Sequence, residues 1–165
     1  MDGVEDSRSK ALQDAIQFEA DGRAFFLEAA ERTSDYFGRI IFNSLADEEL
    51  DHIERIKTID RALRDKGQWP SEEDHTEKGR KSVFEEARMK MDKTVKDRTD
   101  DLKAVKVAMD LEEEGYRFYS DLAARAVDSR EKEFYRRLAT EEKRHLQILE
   151  DTWSALVEYG SSTLE

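Results

Sequence analysis

The sequence predicts an all-α fold, a four-helix bundle made of two repeated helical hairpins joined by a long crossover. Three observations predict it. Apolar residues recur at alternating spacings of 3 and 4 along four long segments, the period of one helix face. Gly numbers 7 and Pro 1 in 165 residues, too few turn-formers for a sheet protein. The second half repeats the first, without a gap, after a shift of 93 residues.

The first helix is predicted from about Lys10 to Arg32, with a seam of Leu12, Ala15, Glu19, Gly22, Phe26 and Ala29. The second runs from about Tyr36 to Lys66, with Phe42, Leu45, Glu49, His52, Ile56, Ile59 and Leu63. Ser34 or Asp35 can cap it, and Gly67 followed by Pro70 stops it. The third runs from about Asp101 to Val127 through Val105, Ala108, Glu112, Gly115, Tyr119, Leu122 and Ala126. The fourth runs from about Ser129 to Tyr159 through Tyr135, Leu138, Glu142, His145, Leu149, Thr152 and Leu156, with Asp128 or Ser129 as its cap. A single domain over 1–165 follows: hairpin one about 10–66, crossover 67–100, hairpin two about 101–159 and a frayed tail, 160–165. Within the crossover, Val83, Phe84, Ala87, Met91 and Val95 mark a short extra helix over about 81–96. Two short loops and one long crossover are a known way to connect four bundled helices.

The repeat aligns Glu19 with Glu112, Gly22 with Gly115, Phe26 with Tyr119, Asp35 with Asp128, Glu49 with Glu142 and His52 with His145. Two hairpins of one design should pack with approximate two-fold symmetry, so that any half-site is doubled.

The net charge of -12 would repel nucleic acid and anionic lipid and attract cations, so neither a nucleic-acid nor a membrane partner is expected. There is no cysteine, which excludes disulfides, thiolate zinc sites and iron–sulfur or rubredoxin-type centres in these residues. The acidic start, Met1 to Asp6, is no signal peptide, and no stretch has the roughly 20 apolar residues of a membrane span. A cytoplasmic protein is expected.

Each hairpin carries a Glu on its first helix and a Glu-x-x-His on its second: Glu19 with Glu49 and His52, and Glu112 with Glu142 and His145. A spacing of three sets Glu and His on adjacent turns of one face. All six lie on apolar seams that hold no Lys or Arg, and four unpaired buried carboxylates would be prohibitively costly. Two divalent cations balance four carboxylates if both histidines are neutral. Glu and His suit iron, with manganese possible on the same donors. One such motif in a Glu-rich helical chain is commonplace on a surface; two in register within a repeat are not. Tyr119, seven residues after Glu112, is placed to hydrogen-bond a ligand carboxylate or simply to pack. Gly22 and Gly115 are read as clearance beside the metals, with close helix packing as the competing reason. Glu48 and Glu141 sit about 100° around the helix from the ligand glutamates and are expected to face solvent. His75, Trp69 and Trp153 have no role beyond surface or packing.

The segments Glu19–Phe26, Leu45–His52, Glu112–Tyr119 and Leu138–His145 resemble the rubrerythrin branch of the ferritin-like superfamily. The resemblance implies a ferritin-like bundle with a di-iron site that reduces hydrogen peroxide or oxygen. Glu49 and Glu142 would bridge two irons about 3.5–4 Å apart, as in other two-metal centres. Glu19 and Glu112 would be terminal, and His52 and His145 would complete one metal each. The alternative is a ferritin-like iron-binding or storage protein with ferroxidase activity. Rubrerythrins of the peroxidase type carry a four-cysteine rubredoxin domain, which this chain lacks, so electrons are expected from a separate donor such as a rubredoxin-like protein or from Fe(II) itself; a homodimer is expected as well. Those enzymes also carry an extra carboxylate where this chain has Gly115, which leaves a symmetric donor set closer to that of bacterioferritins.

Overall fold

A computed structural model describes residues 2–71 and 98–161. It contains four long helices: α1 (Asp2–Arg32), α2 (Tyr36–Lys66), α3 (Thr99–Arg125) and α4 (Ser129–Ser161). No strand occurs among the described residues. The chain is an all-α bundle of two antiparallel hairpins, α1–α2 and α3–α4, with backbones far closer within each hairpin than between them. The short helix expected over about 81–96 lies outside the described residues.

The turns follow from local chemistry. Asp35 caps α2 by accepting from the Phe37 amide at 2.9 Å. At the far end Gly67 adopts φ 64°, the left-handed conformation glycine tolerates best, and its N–H donates to the Leu63 carbonyl at 2.8 Å. Asp128 caps α4 by accepting from the Arg130 amide at 2.8 Å. Several boundaries differ from expectation, and α3 lies two residues earlier at both ends, Thr99–Arg125 rather than about Asp101 to Val127. α1 begins at Asp2 rather than near Lys10, because the polar segment that precedes the apolar seam continues the same helix. α4 runs through Gly160 to Ser161, so Gly160 does not end it.

Every seam residue of α2 and α4 named above is buried, as are Leu12, Ala15, Glu19, Phe26 and Ala29 of α1. Two apolar layers result. One holds Phe26, Phe37, Phe42, Leu45, Leu149 and Leu156; the other holds Leu12, Ile56, Leu63, Trp69, Tyr135 and Leu138. The two-fold relation of the repeat exchanges them, and the charged seam residues lie between.

Candidate metal centre

The six seam residues Glu19, Glu49, His52, Glu112, Glu142 and His145 are all at most 2% exposed. They converge into two groups whose donor atoms lie within 4.8 Å of one another: Glu19, Glu49, His52 and Glu142 in one, Glu49, Glu112, Glu142 and His145 in the other. Glu49 and Glu142 belong to both groups, and each group draws on both hairpins. The imidazoles of His52 and His145 stack across the two-fold at 5.5 Å, 12° from parallel.

Each histidine faces the cluster with Nδ1. That atom of His52 lies 3.3 Å from Glu19 and 3.5 Å from Glu142, and that of His145 lies 3.4 Å from Glu49 and 3.5 Å from Glu112. The outward nitrogen, Nε2, meets a second carboxylate on the opposite hairpin: Glu141 at 2.5 Å for His52, and Glu48 for His145. Glu48 is buried and Glu141 half-buried, so the expectation that both face solvent is corrected. The rotation away from the seam is real, but α2 and α4 run side by side, and it aims each carboxylate at the neighbouring helix. Arg55 donates to both oxygens of Glu141 at 3.1 and 2.9 Å, and Arg144 to Glu48 at 3.4 Å. The signal in the sequence was the doubled glutamate, Glu48-Glu49 and Glu141-Glu142, in both halves.

Tyr119 donates its hydroxyl to Glu19, on the other hairpin. Of the two glycines only Gly115 is short of room, and it spares the Phe18 ring of the packed helix as well as a shared carboxylate. A Cβ on Gly22 would sit 3.4 Å from Glu49 Oε2, and one on Gly115 would sit 3.3 Å from Glu142 Cδ and 3.0 Å from Phe18. An opening of about 400 Å³ between α1 and α3 leads to Glu49, Glu112 and Glu142 past Phe18, Gly22 and Phe25. A larger cleft of about 630 Å³ farther along the same helices, beside Arg32 and Asp100, touches none of the six.

The electrostatics show what the cluster lacks. Burial, reinforced by neighbouring carboxylates, pushes Glu49 and Glu142 well above the ordinary carboxylate range. Burial disfavours ionised Glu19 as well, yet His52 and hydrogen bonds from Glu49, His52 and Tyr119 hold it below that range. Burial opposes charge on His52 and His145, but Glu19 beside one and Glu112 beside the other raise both. Protons thus stand where positive charge is needed. Glu49 Oε1, Glu112 Oε2, Glu142 Oε1 and His145 Nδ1 are buried without a hydrogen-bond partner among the described residues. Hard oxygen and imidazole donors left bare in one layer fit first-row transition-metal ions.

Bundle and cluster together define a carboxylate–histidine protein of the ferritin-like superfamily. The family model for rubrerythrin matches residues 10–152, and the chain belongs to the rubrerythrin family. Among solved structures, a hypothetical protein from Pyrococcus furiosus is similar in fold, with a TM-score of 0.67 and 22% identity over 92% of this chain and 90% of that one. No curated protein matches. No described helix is long and apolar enough to cross a membrane.

Proposed function

We propose that this chain is a non-haem di-iron oxidoreductase that reduces hydrogen peroxide or oxygen. The observation that carries the reading is the sharing of Glu49 and Glu142 between two donor groups. Glu49 and Glu142 would bridge two ions, Glu19 with His52 would complete one position, and Glu112 with His145 the other. Iron bound there would supply two electrons, one from each ion. The protein's own part is to hold these donors before and after the reaction, with His52 and His145 fixed through Nε2 by Glu141 and Glu48. The opening between α1 and α3 admits a molecule the size of peroxide. Electrons for further turnovers would come from a separate donor protein.

The test is anaerobic loading with Fe(II), metal analysis, and then addition of peroxide. About two irons per chain and a ferric charge-transfer absorption are expected. Wild type and Glu142→Ala behaving alike would sink the reading. The acidic surface, with a net charge of -12, favours a second reading as an iron-binding or storage protein with ferroxidase activity. Mass in solution separates the two: a dimer with the iron content above supports the enzyme, and a large shell with far more iron supports storage.

A further inference from the structure

The repeat makes the two donor groups alike, but the packing around them differs. Phe18 and Leu111 are repeat mates that flank the opening between α1 and α3. The Phe18 ring crosses to α3, stacks on Phe118 at 5.7 Å and lies over Gly115, 3.0 Å from where a Cβ would stand. Leu111 does not do the same for Gly22, where a Cβ would meet only the Glu49 carboxylate among the described residues. Gly115 is accordingly buried and Gly22 half-buried. The opening is therefore one-sided: Gly22 and Glu112 line it, and their mates Gly115 and Glu19 do not. Asp21 and Glu114, exposed carboxylates that also line it, favour the approach of a cation.

A second pair of mates separates the two terminal glutamates. Tyr119 donates to Oε1 of Glu19, and His52 Nδ1 faces Oε2 at 3.3 Å, so both oxygens are engaged. For Glu112 the corresponding ring is Phe26, which has no hydroxyl to give. Glu112 Oε2 is buried without a hydrogen-bond partner among the described residues. Phe26 and Tyr119 are both buried, so a phenyl ring fills this niche and packing does not call for the hydroxyl. A carboxylate anchored at both oxygens is held in place with or without an ion. One with a bare oxygen beside an opening is free to turn and hand its ion over.

We propose that the two ion positions are unequal: the one completed by Glu112 and His145 exchanges its ion through the opening between α1 and α3, and the one completed by Glu19 and His52 is closed. Phe18 and Tyr119 are the positioning residues that close it, Phe18 by covering the α3 side of the opening and Tyr119 by anchoring Glu19. This rests on the two-ion reading above and adds which position is open. It also fixes an order of filling. An ion bound for the closed position has to pass the open one, so the closed position fills first and empties last.

The full chain is saturated with Co(II), whose visible absorption reports occupancy, and mixed with excess chelator. Two ions per chain are expected to leave in two phases of equal amplitude, the second several-fold slower. Tyr119→Phe, Phe18→Leu and Phe26→Tyr each install the residue that the other half already carries, so the fold accommodates them. Tyr119→Phe is expected to speed the slow phase alone, by about 10–100-fold, the range over which losing an outer partner weakens metal binding. Phe18→Leu is expected to speed the same phase several-fold. Phe26→Tyr, which gives Glu112 the hydroxyl it lacks, is expected to slow the fast phase alone. A single release rate in wild type, or any of the three variants acting on the other phase or on neither, overturns the proposal and leaves the two-ion reading standing. Fewer than two ions per chain at saturation overturns that reading, and this one with it.

Discussion

His52 turns its two nitrogens to different carboxylates, Nδ1 to Glu19 and Nε2 to Glu141, and the second contact orients the first. Burial alone would raise Glu141, yet His52 and Arg55 hold its carboxyl down at about 2. A depressed carboxyl contributes stability above its unfolded value of 4.5, and the contribution is lost as pH falls from there towards 2. Its size is on the order of 3 kcal/mol. Glu141→Gln is expected to weaken metal binding about 10–100-fold, measured by competition with a chelator, and to flatten acid unfolding over that window. Tyr119→Phe removes a hydrogen bond to Glu19 and should cost about 1–2 kcal/mol in urea unfolding. The six inward donors were legible because Glu and His stood on an apolar period. Glu48 and Glu141 were not, since helical rotation tells where a side chain leaves its own helix and says nothing of the helix next door.

At the scale of the helix, repeat mates do unequal work. Gly115 has Phe18 and Glu142 where a Cβ would go, at 3.0 and 3.3 Å, whereas Gly22 leaves 3.4 Å to a flexible carboxylate oxygen. Gly22→Ala should be neutral or stabilising, since alanine gains up to about 1 kcal/mol of helix propensity. Gly115→Ala should displace Phe18 or Glu142 and weaken metal binding; equal affinities for the two variants would refute the clearance argument. The caps differ in the same way. Asp35 is fully buried and paired with buried Arg98, while Asp128 is exposed. Asp35→Ala is expected to cost about 3–5 kcal/mol, and Asp128→Ala about 1 kcal/mol, by chemical denaturation. The repeat aligned these two aspartates as equals. The difference arises from Arg98 at the start of α3, a long-range contact that no local pattern announces. The helix starts were less legible than the seams because a polar segment carries no apolar period.

In the whole molecule, the four carboxylates and two histidines oppose folding unless cations or protons accompany them. Glu49 and Glu142 hold protons more tightly when folded than their reference value of 4.5, and His52 and His145 more tightly than 6.5. Groups raised in this way stabilise the fold below their unfolded pKa, and that stabilisation is lost as pH rises through the folded value. Metal-free protein should therefore melt at a lower temperature near pH 8 than near pH 5. Metal-loaded protein should show the opposite trend, because rising pH removes the protons that compete for the ligands. Calorimetry with and without chelator reads both slopes, and parallel slopes would contradict the charge argument. The bundle, its two halves and their meeting layer were legible because the repeat encodes them twice. The short helix expected over about 81–96, within the crossover, lies outside the described residues.

Each donor group draws on both hairpins, so neither hairpin is complete by itself. A chain of this kind is equivalent to a joined pair of identical subunits, and the joining has a consequence that free subunits would not have. In a symmetric pair every substitution appears twice. Here Phe26 and Tyr119, or Phe42 and Tyr135, can part company while the donor set stays doubled. Covalent linkage is what permits the two flanks of the glutamate–histidine layer to differ.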